Sequence, residues 1–156
     1  MGDSFQEAHT AKMDILLVED NPGDVRLTQE ALKDGDLAHN LYVVNDGDAA
    51  MCYLRREDEY AEAVRPDLIL LDLNLPGMPG QEVLKAVKED ADLKDIPVVV
   101  LTASEADEDM VRAFEYEAPF IMKPVEVKEL VKIAAFPKSF WATVIKRSDE
   151  GSEGAS

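Results

Sequence analysis

The sequence predicts an α/β protein in which a five-stranded parallel sheet is wound on both faces by helices, giving three layers. Three observations carry this reading. Short, β-branched apolar runs alternate with amphipathic helical patterns five times along the chain. The run Leu68-Ile69-Leu70-Leu71 is apolar at every position, as expected of a parallel strand buried on both faces. Crossovers between parallel strands are right-handed and pack back on the sheet, so helices must cover both of its faces.

The elements follow in order. A first strand, Ile15–Val18, leads into a helix over Asp24–Lys33; a second strand, Leu41–Val44, leads into a helix over Gly47–Glu57, where Ala50, Met51 and Leu54 recur at helical spacing and which carries Cys52. The third strand, Leu68–Leu71, is followed by a helix over Gln81–Glu89, and the fourth, Pro97–Leu101, by a helix over Glu105–Tyr116. The fifth strand, Phe120–Met122, precedes a helix over Val127–Ala135. Pro119 has no amide to donate, so this last strand should be a blunt edge. Five such units suggest the flavodoxin-like, doubly wound order 2-1-3-4-5, with a crevice at the carboxyl ends of the first and third strands, where the winding reverses.

Size and composition narrow the function. A chain of 156 residues fits one domain, read here as residues 13–147 between flexible tails at 1–12 and 148–156. The longest apolar run, Ile96 to Leu101, is far short of the roughly 20 residues a membrane span needs. Met1 to Thr10 lack the basic and apolar parts of a secretory signal, so a cytoplasmic location is expected. Cys52 is the only cysteine, and His9 and His39 are far apart, so a metal would be held by oxygen. The 33 acidic against 16 basic residues give a net charge of −17, which disfavours DNA and anionic membranes as partners. That self-repulsion should also make the fold more stable as salt rises.

The polar residues at strand ends then raise a question of chemistry. Glu19-Asp20-Asn21 follows the first strand and Asp72-Leu73-Asn74-Leu75-Pro76 the third, so three carboxylates meet at adjacent strand ends. Alone, the first trio reads as a helix cap and Asp72 as a turn acid. Together they repel one another unless a hard divalent cation is present, and Mg²⁺ suits because it accepts a few carboxylates, keeps waters and bridges to phosphate. The fourth strand ends in Thr102 and the fifth in Lys123-Pro124, supplying a hydroxyl donor and a compact positive charge suited to phosphoryl oxygens. Each has an ordinary reading, as a helix cap or a surface lysine. All five groups at the ends of the central strands are hard to assign to coincidence.

From Asp14 to about Arg147 the chain resembles the response-regulator receiver domains of two-component signalling, through the acidic pair, acceptor Asp, Thr and Lys-Pro. Two stretches, Ile15 to Asp24 and Asp67 to Pro76, with Phe140-Trp141, are similar to single-domain regulators partnered with phytochrome-type histidine kinases. The resemblance implies that Asp72 takes a phosphoryl group from a kinase phosphohistidine. It also implies that Asp20, Asp72 and the Asn74 carbonyl ligate Mg²⁺, with Glu19 acting through water, that Thr102 and Lys123 bind the phosphoryl oxygens, and that the Lys123-Pro124 bond is cis.

Output would follow if Thr102 moved towards the phosphate and Phe120, three residues before Lys123, turned inward; the competing reading keeps Phe120 as a fixed core ring. The chain departs from the family in Tyr116-Glu117-Ala118-Pro119-Phe120, where a Gly-Ala-rich turn is usual. Phe136-Pro137 breaks the last helix, and Phe140, Trp141, Val144 and Ile145 suggest either a partner surface or a fold-back on the fifth helix. The partners expected are a sensor histidine kinase and, through the fourth helix, fifth strand, fifth helix and C-terminal extension, a second copy. With nine residues after Arg147, no output domain is expected, leaving protein association or a phosphorelay as the signal. Rival readings are weaker. An Asp-nucleophile phosphatase needs an acid where Asn74 stands, and a nucleotide or flavin site needs glycine-rich motifs that are missing. The remaining alternative is a receiver-fold interaction module that is never phosphorylated.

Overall fold

The computed structural model describes residues 12–102 and 118–133. The five strands are β1 (Met13–Val18), β2 (His39–Val44), β3 (Leu68–Asp72), β4 (Val98–Thr102) and β5 (Phe120–Met122). The helices are α1 (Pro22–Asp34), α2 (Gly47–Arg55), α3 (Gly80–Glu89) and α4 (Val127–Ile133), with a short 3₁₀ turn at Asp58–Tyr60. The helix expected over Glu105–Tyr116, both tails up to residue 11 and from 148, and the extension carrying Phe140 and Trp141 lie outside the described residues. Helix α4 is therefore the one counted fifth in the sequence.

All strand pairs are parallel and the order is β2-β1-β3-β4-β5. The period-two alternation of a strand sorts the side chains into two cores. Leu16, Val18, Ile69, Leu71, Val98 and Val100 face one way, against Met51 and Leu54 of α2 and Val83, Leu84 and Val87 of α3. Ile15, Leu17, Leu68, Leu70, Val99 and Leu101 face the other, against Leu32 of α1 and Val127 and Leu130 of α4. Every residue of β3 and of β4 is buried, which is why those runs carry no polar alternation until their last residues.

Helix ends are set by local chemistry. Asn21 caps α1, its Oδ1 accepting from the Asp24 amide at 3.0 Å, with Pro22 at the first helical position where no amide is needed. Asp46 caps α2 through the Ala49 amide at 2.7 Å. Gly80 opens α3 where the chain leaving β3 turns back: a Cβ there would run into the Leu73 Cα and the Asp72 carbonyl oxygen. Cys52 sits on α2, half-buried.

Several boundaries move relative to the sequence reading. β1 and β2 begin earlier because Met13 and Asp14 pair with His39 and Asn40, and Asp72 and Thr102 are the last residues of their strands rather than the first of their loops. β5 is a short edge whose Phe120 is 39% exposed. That corrects the fixed core-ring alternative: in this structure the ring lies on the surface, on the face of β5 opposite the buried Ile121. Pro119 donates nothing, yet its carbonyl accepts from Val100 N–H at 2.9 Å, so the edge is joined to β4 from its first step.

Candidate functional site

Parallel strands end together, and the ends of β1, β3, β4 and β5 bring five of the predicted residues to one rim of the sheet. Glu19 and Asp20 leave β1, Asp72 closes β3, Thr102 closes β4, and Lys123 follows β5. Register fixes their heights: Asp72 is opposite Leu101, and Thr102 is opposite Met122. The backbone ties the last two strands at the rim, Lys123 N–H donating to the Thr102 carbonyl at 2.8 Å. The Lys123-Pro124 peptide is cis.

The Lys123 ammonium is the hub. It lies 2.8 Å from Asp72 Oδ2, 2.8 Å from Glu19 Oε1 and 2.9 Å from Asp24 Oδ2. An ammonium has three N–H donors, so it can serve several carboxylates at once. Its contacts with Asp72 and Asp24 have hydrogen-bond geometry. Glu19 Oε1 lacks a well-angled bond and is held by charge, its pairing with Lys123 being ionic. Burial alone would lower the Lys123 pKa; its bonds to Asp72, Glu19 and Asp24 outweigh this and hold it above the ordinary lysine value. The ammonium is therefore charged at every physiological pH.

Each carboxylate is also fixed from its own side. Asp72 Oδ1 accepts from the Asn74 N–H at 2.8 Å, so both of its oxygens are engaged, while the Asn74 side chain is exposed. Glu19 is fully buried, and its Oε2 accepts from the Asn21 N–H at 3.2 Å. Burial pushes the Glu19 carboxyl up to about 7; Asp72 beside it pushes the same way, and Lys123 opposes both. Asp20 is exposed at the mouth of the crevice. Thr102 is fully buried, and its Oγ1 has no hydrogen-bond partner.

Glu19, Asp20 and Asp72 can each offer an oxygen so that all lie within 4.8 Å of one another. Across an Mg²⁺ octahedron, opposite ligands stand about 4.2 Å apart. The trio therefore fits a hard divalent cation. The excess of negative charge over the single ammonium supplies the attraction.

Asp24 is the residue the sequence reading missed. It stands third in α1 after the Asn21 cap, the position where an acid folds back on the cap amide. Here that amide is taken by Glu19, and the Asp24 carboxylate turns to Lys123 instead, across 99 positions of sequence. Its place one turn into α1, above the same crevice as Asp20, was the available signal.

Comparisons with known proteins place the sequence and the fold in a family. The family model described as the response regulator receiver domain matches residues 15–135. The response regulator Rcp1 of Synechocystis is 45% identical over 132 residues, which cover 84% of this chain and 90% of that protein. Among solved structures, the Mn(2+)-bound form of Rcp1 matches with a TM-score of 0.67 at 46% identity, over 77% of this chain and 87% of that one. The phosphorylated cyanobacterial phytochrome response regulator RcpA matches with a TM-score of 0.69 at 46% identity, over 85% of this chain and 96% of that one.

Proposed function

The chain belongs to the response regulator receiver domain family, and from that premise we propose that Asp72 is its phosphoryl acceptor, with Glu19, Asp20, Asn74, Thr102 and Lys123 as the supporting site. One observation carries this reading: the Lys123 ammonium rests on Asp72 Oδ2 at 2.8 Å, beside a carboxylate trio that can hold a divalent cation.

In the proposed reaction an Asp72 oxygen attacks the phosphorus of a phosphohistidine. A P–O bond forms, the P–N bond breaks, and the imidazole leaves with its electron pair. Asp20, Asp72 and the Asn74 carbonyl would hold Mg²⁺, with Glu19 acting through water, and the ion would supply charge neutralisation to the phosphoryl oxygens. Lys123 supplies fixed positive charge to the phosphoryl oxygens, and its raised pKa keeps it protonated throughout. The Thr102 hydroxyl, buried and without a partner, donates to a phosphoryl oxygen. The Asn74 N–H holds Asp72 Oδ1, leaving the carboxylate oriented for attack. Catalysis is then positioning and charge neutralisation, and turnover is limited to the protein's own phosphorylation and its reversal by water.

The donor in this reading is a sensor histidine kinase of the phytochrome type, supported by the match to RcpA, a phytochrome response regulator. The likeness to Rcp1 runs over 90% of that regulator's length. The signal of this chain would then be protein association, including a second copy through β5 and α4, or onward transfer in a relay, with no direct role for DNA. A cytoplasmic location fits, since no described helix is long and apolar enough to cross a membrane.

The test is intact mass after incubation with Mg²⁺ and acetyl phosphate. The parent should gain one phosphoryl group and Asp72→Asn none. A parent that gains nothing would leave the alternative, an interaction module of receiver fold that is not phosphorylated.

A further inference from the structure

At the end of the sheet opposite Asp72, a recess of about 380 Å³ opens between the C-terminal end of α2 and the turns that precede β3 and β4. That volume lies in the range of small-molecule sites, roughly 300–1,000 Å³. Arg55, Arg56 and Arg65 line it, in a chain whose net charge is −17.

Arg55 and Arg56 end α2, where positive charge suits the helix dipole. Arg65 comes from a separate segment, so the dipole does not account for it. Its Nη1 donates to the Asp92 carbonyl at 2.8 Å, which fixes the guanidinium at the recess and leaves most of its N–H donors unused by that bond. Arg56 holds a left-handed conformation, φ 56°, a position usually left to glycine. Among the described residues none of the three arginines makes an ion pair, although the chain has 33 acidic residues. The acids at the recess do not serve them: Asp90 Oδ1 accepts from the Asp92 N–H at 2.7 Å, and Asp92 offers Arg65 its carbonyl rather than its carboxylate.

We propose that this recess binds a small organic phosphate, its anionic group on the three guanidiniums and its apolar body on Leu54, Pro66, Leu93 and Ile96. A phosphate monoester offers guanidinium forks three terminal oxygens where a carboxylate offers two. The apolar wall is buried, and Leu54, Leu93 and Ile96 belong to the core under α2 and α3, so this side of the recess is already formed. The site lies at the other end of the strands from Asp72 and stands or falls apart from the acceptor role.

The experiment is an NMR titration of the full, metal-free chain with adenosine monophosphate, adenosine and inorganic phosphate, read at the methyl groups of Leu54, Leu93 and Ile96. Adenosine monophosphate should shift those methyls. Arg55→Gln and Arg65→Gln should each weaken its binding about three- to tenfold, and adenosine or phosphate alone should bind at least about tenfold more weakly. Arg55 is exposed and makes no side-chain hydrogen bond among the described residues, so Arg55→Gln keeps the fold even if Arg65→Gln loosens the turn before β4. Both variants should still take up a phosphoryl group from acetyl phosphate, which separates a failure here from a failure of Asp72 as acceptor. Methyls that do not move, shifts confined to residues around Asp72, or variants as tight as the parent would each overturn the proposal. So would adenosine or inorganic phosphate binding as tightly as the nucleotide.

Discussion

Lys123 Nζ lies 2.8 Å from Asp72 Oδ2 although 51 positions of sequence separate the two residues. The same ammonium is also the counter-charge for Glu19, which is fully buried. Lys123→Ala would leave both carboxylates in a low-dielectric crevice without a cation. We expect metal-free protein to lose about 3 kcal/mol of stability. A divalent cation should restore much of it by taking over the lysine's electrostatic role. Urea unfolding with a chelator and then with Mg²⁺ measures both effects; a variant as stable as the parent under chelation would mean that the ion pairs contribute nothing net.

Thr102 should trade stability for function. Its hydroxyl is buried without a partner, a desolvation cost of about 1–3 kcal/mol. Thr102→Val keeps the shape and removes the cost, so the variant should be more stable by about 1 kcal/mol. If the hydroxyl is kept to bind a phosphoryl oxygen, the same variant should retain beryllofluoride more weakly. A thermal melt and a binding titration on one sample decide it, and a destabilised Thr102→Val with parent-like binding would refute both halves.

The fold was legible because its signals are local and redundant. Leu68 to Leu71 announces a strand buried on both sides from its composition alone, and the same is true of Val98 to Leu101. Five alternations of strand and helix leave few parallel topologies, and the order followed. The strand-end residues were legible for a related reason: a parallel sheet converts scattered chain positions into one rim. The Asp24 contact was not. The cap amide and Lys123, 99 positions away, compete for this helix acid, and the winner depends on where Lys123 arrives in space. The competing reading of Phe120 as a fixed core ring could not be settled from sequence for the same kind of cause, since nothing in Phe120-Ile121-Met122 says which face of an edge strand is covered.

Gly80 should resist any side chain. An added Cβ meets the Leu73 Cα and the Asp72 carbonyl, both backbone atoms that cannot swing aside. Gly80 N–H also donates to the Leu73 carbonyl at 3.2 Å, closing the turn that sets the direction of Asp72. Gly80→Ala should therefore cost about 2 kcal/mol or more and slow phosphorylation by acetyl phosphate, since the displaced atoms carry the proposed acceptor. Unfolding curves and initial rates check the two consequences, and an unchanged rate in a destabilised variant would show that the turn is not coupled to the site.

Tyr53 gives the expected alkaline limit of the fold. Its ring is buried between Tyr42, at a centroid distance of 6.0 Å, and Tyr60, at 5.5 Å, and its hydroxyl donates to the Val64 carbonyl at 2.9 Å. Burial, with the neighbouring Tyr42 and Asp14 charges, pushes its phenol up to about 12 from 10.0, only partly opposed by Arg56. The unfolded chain releases this proton first, so as pH rises the unfolded state gains what the folded state cannot. The Tyr53 contribution is whole below about pH 10 and is lost as pH climbs from there through 12. Tyr53→Phe has no such proton to lose, so its stability should fall less steeply over that interval than the parent's, while differing little in slope at neutral pH. Paired denaturation series at neutral and alkaline pH, with tyrosinate absorbance followed in the folded parent, measure it. A parent in which all the tyrosines ionise together near 10 before the fold is lost would show that the ring's burial does not protect its proton.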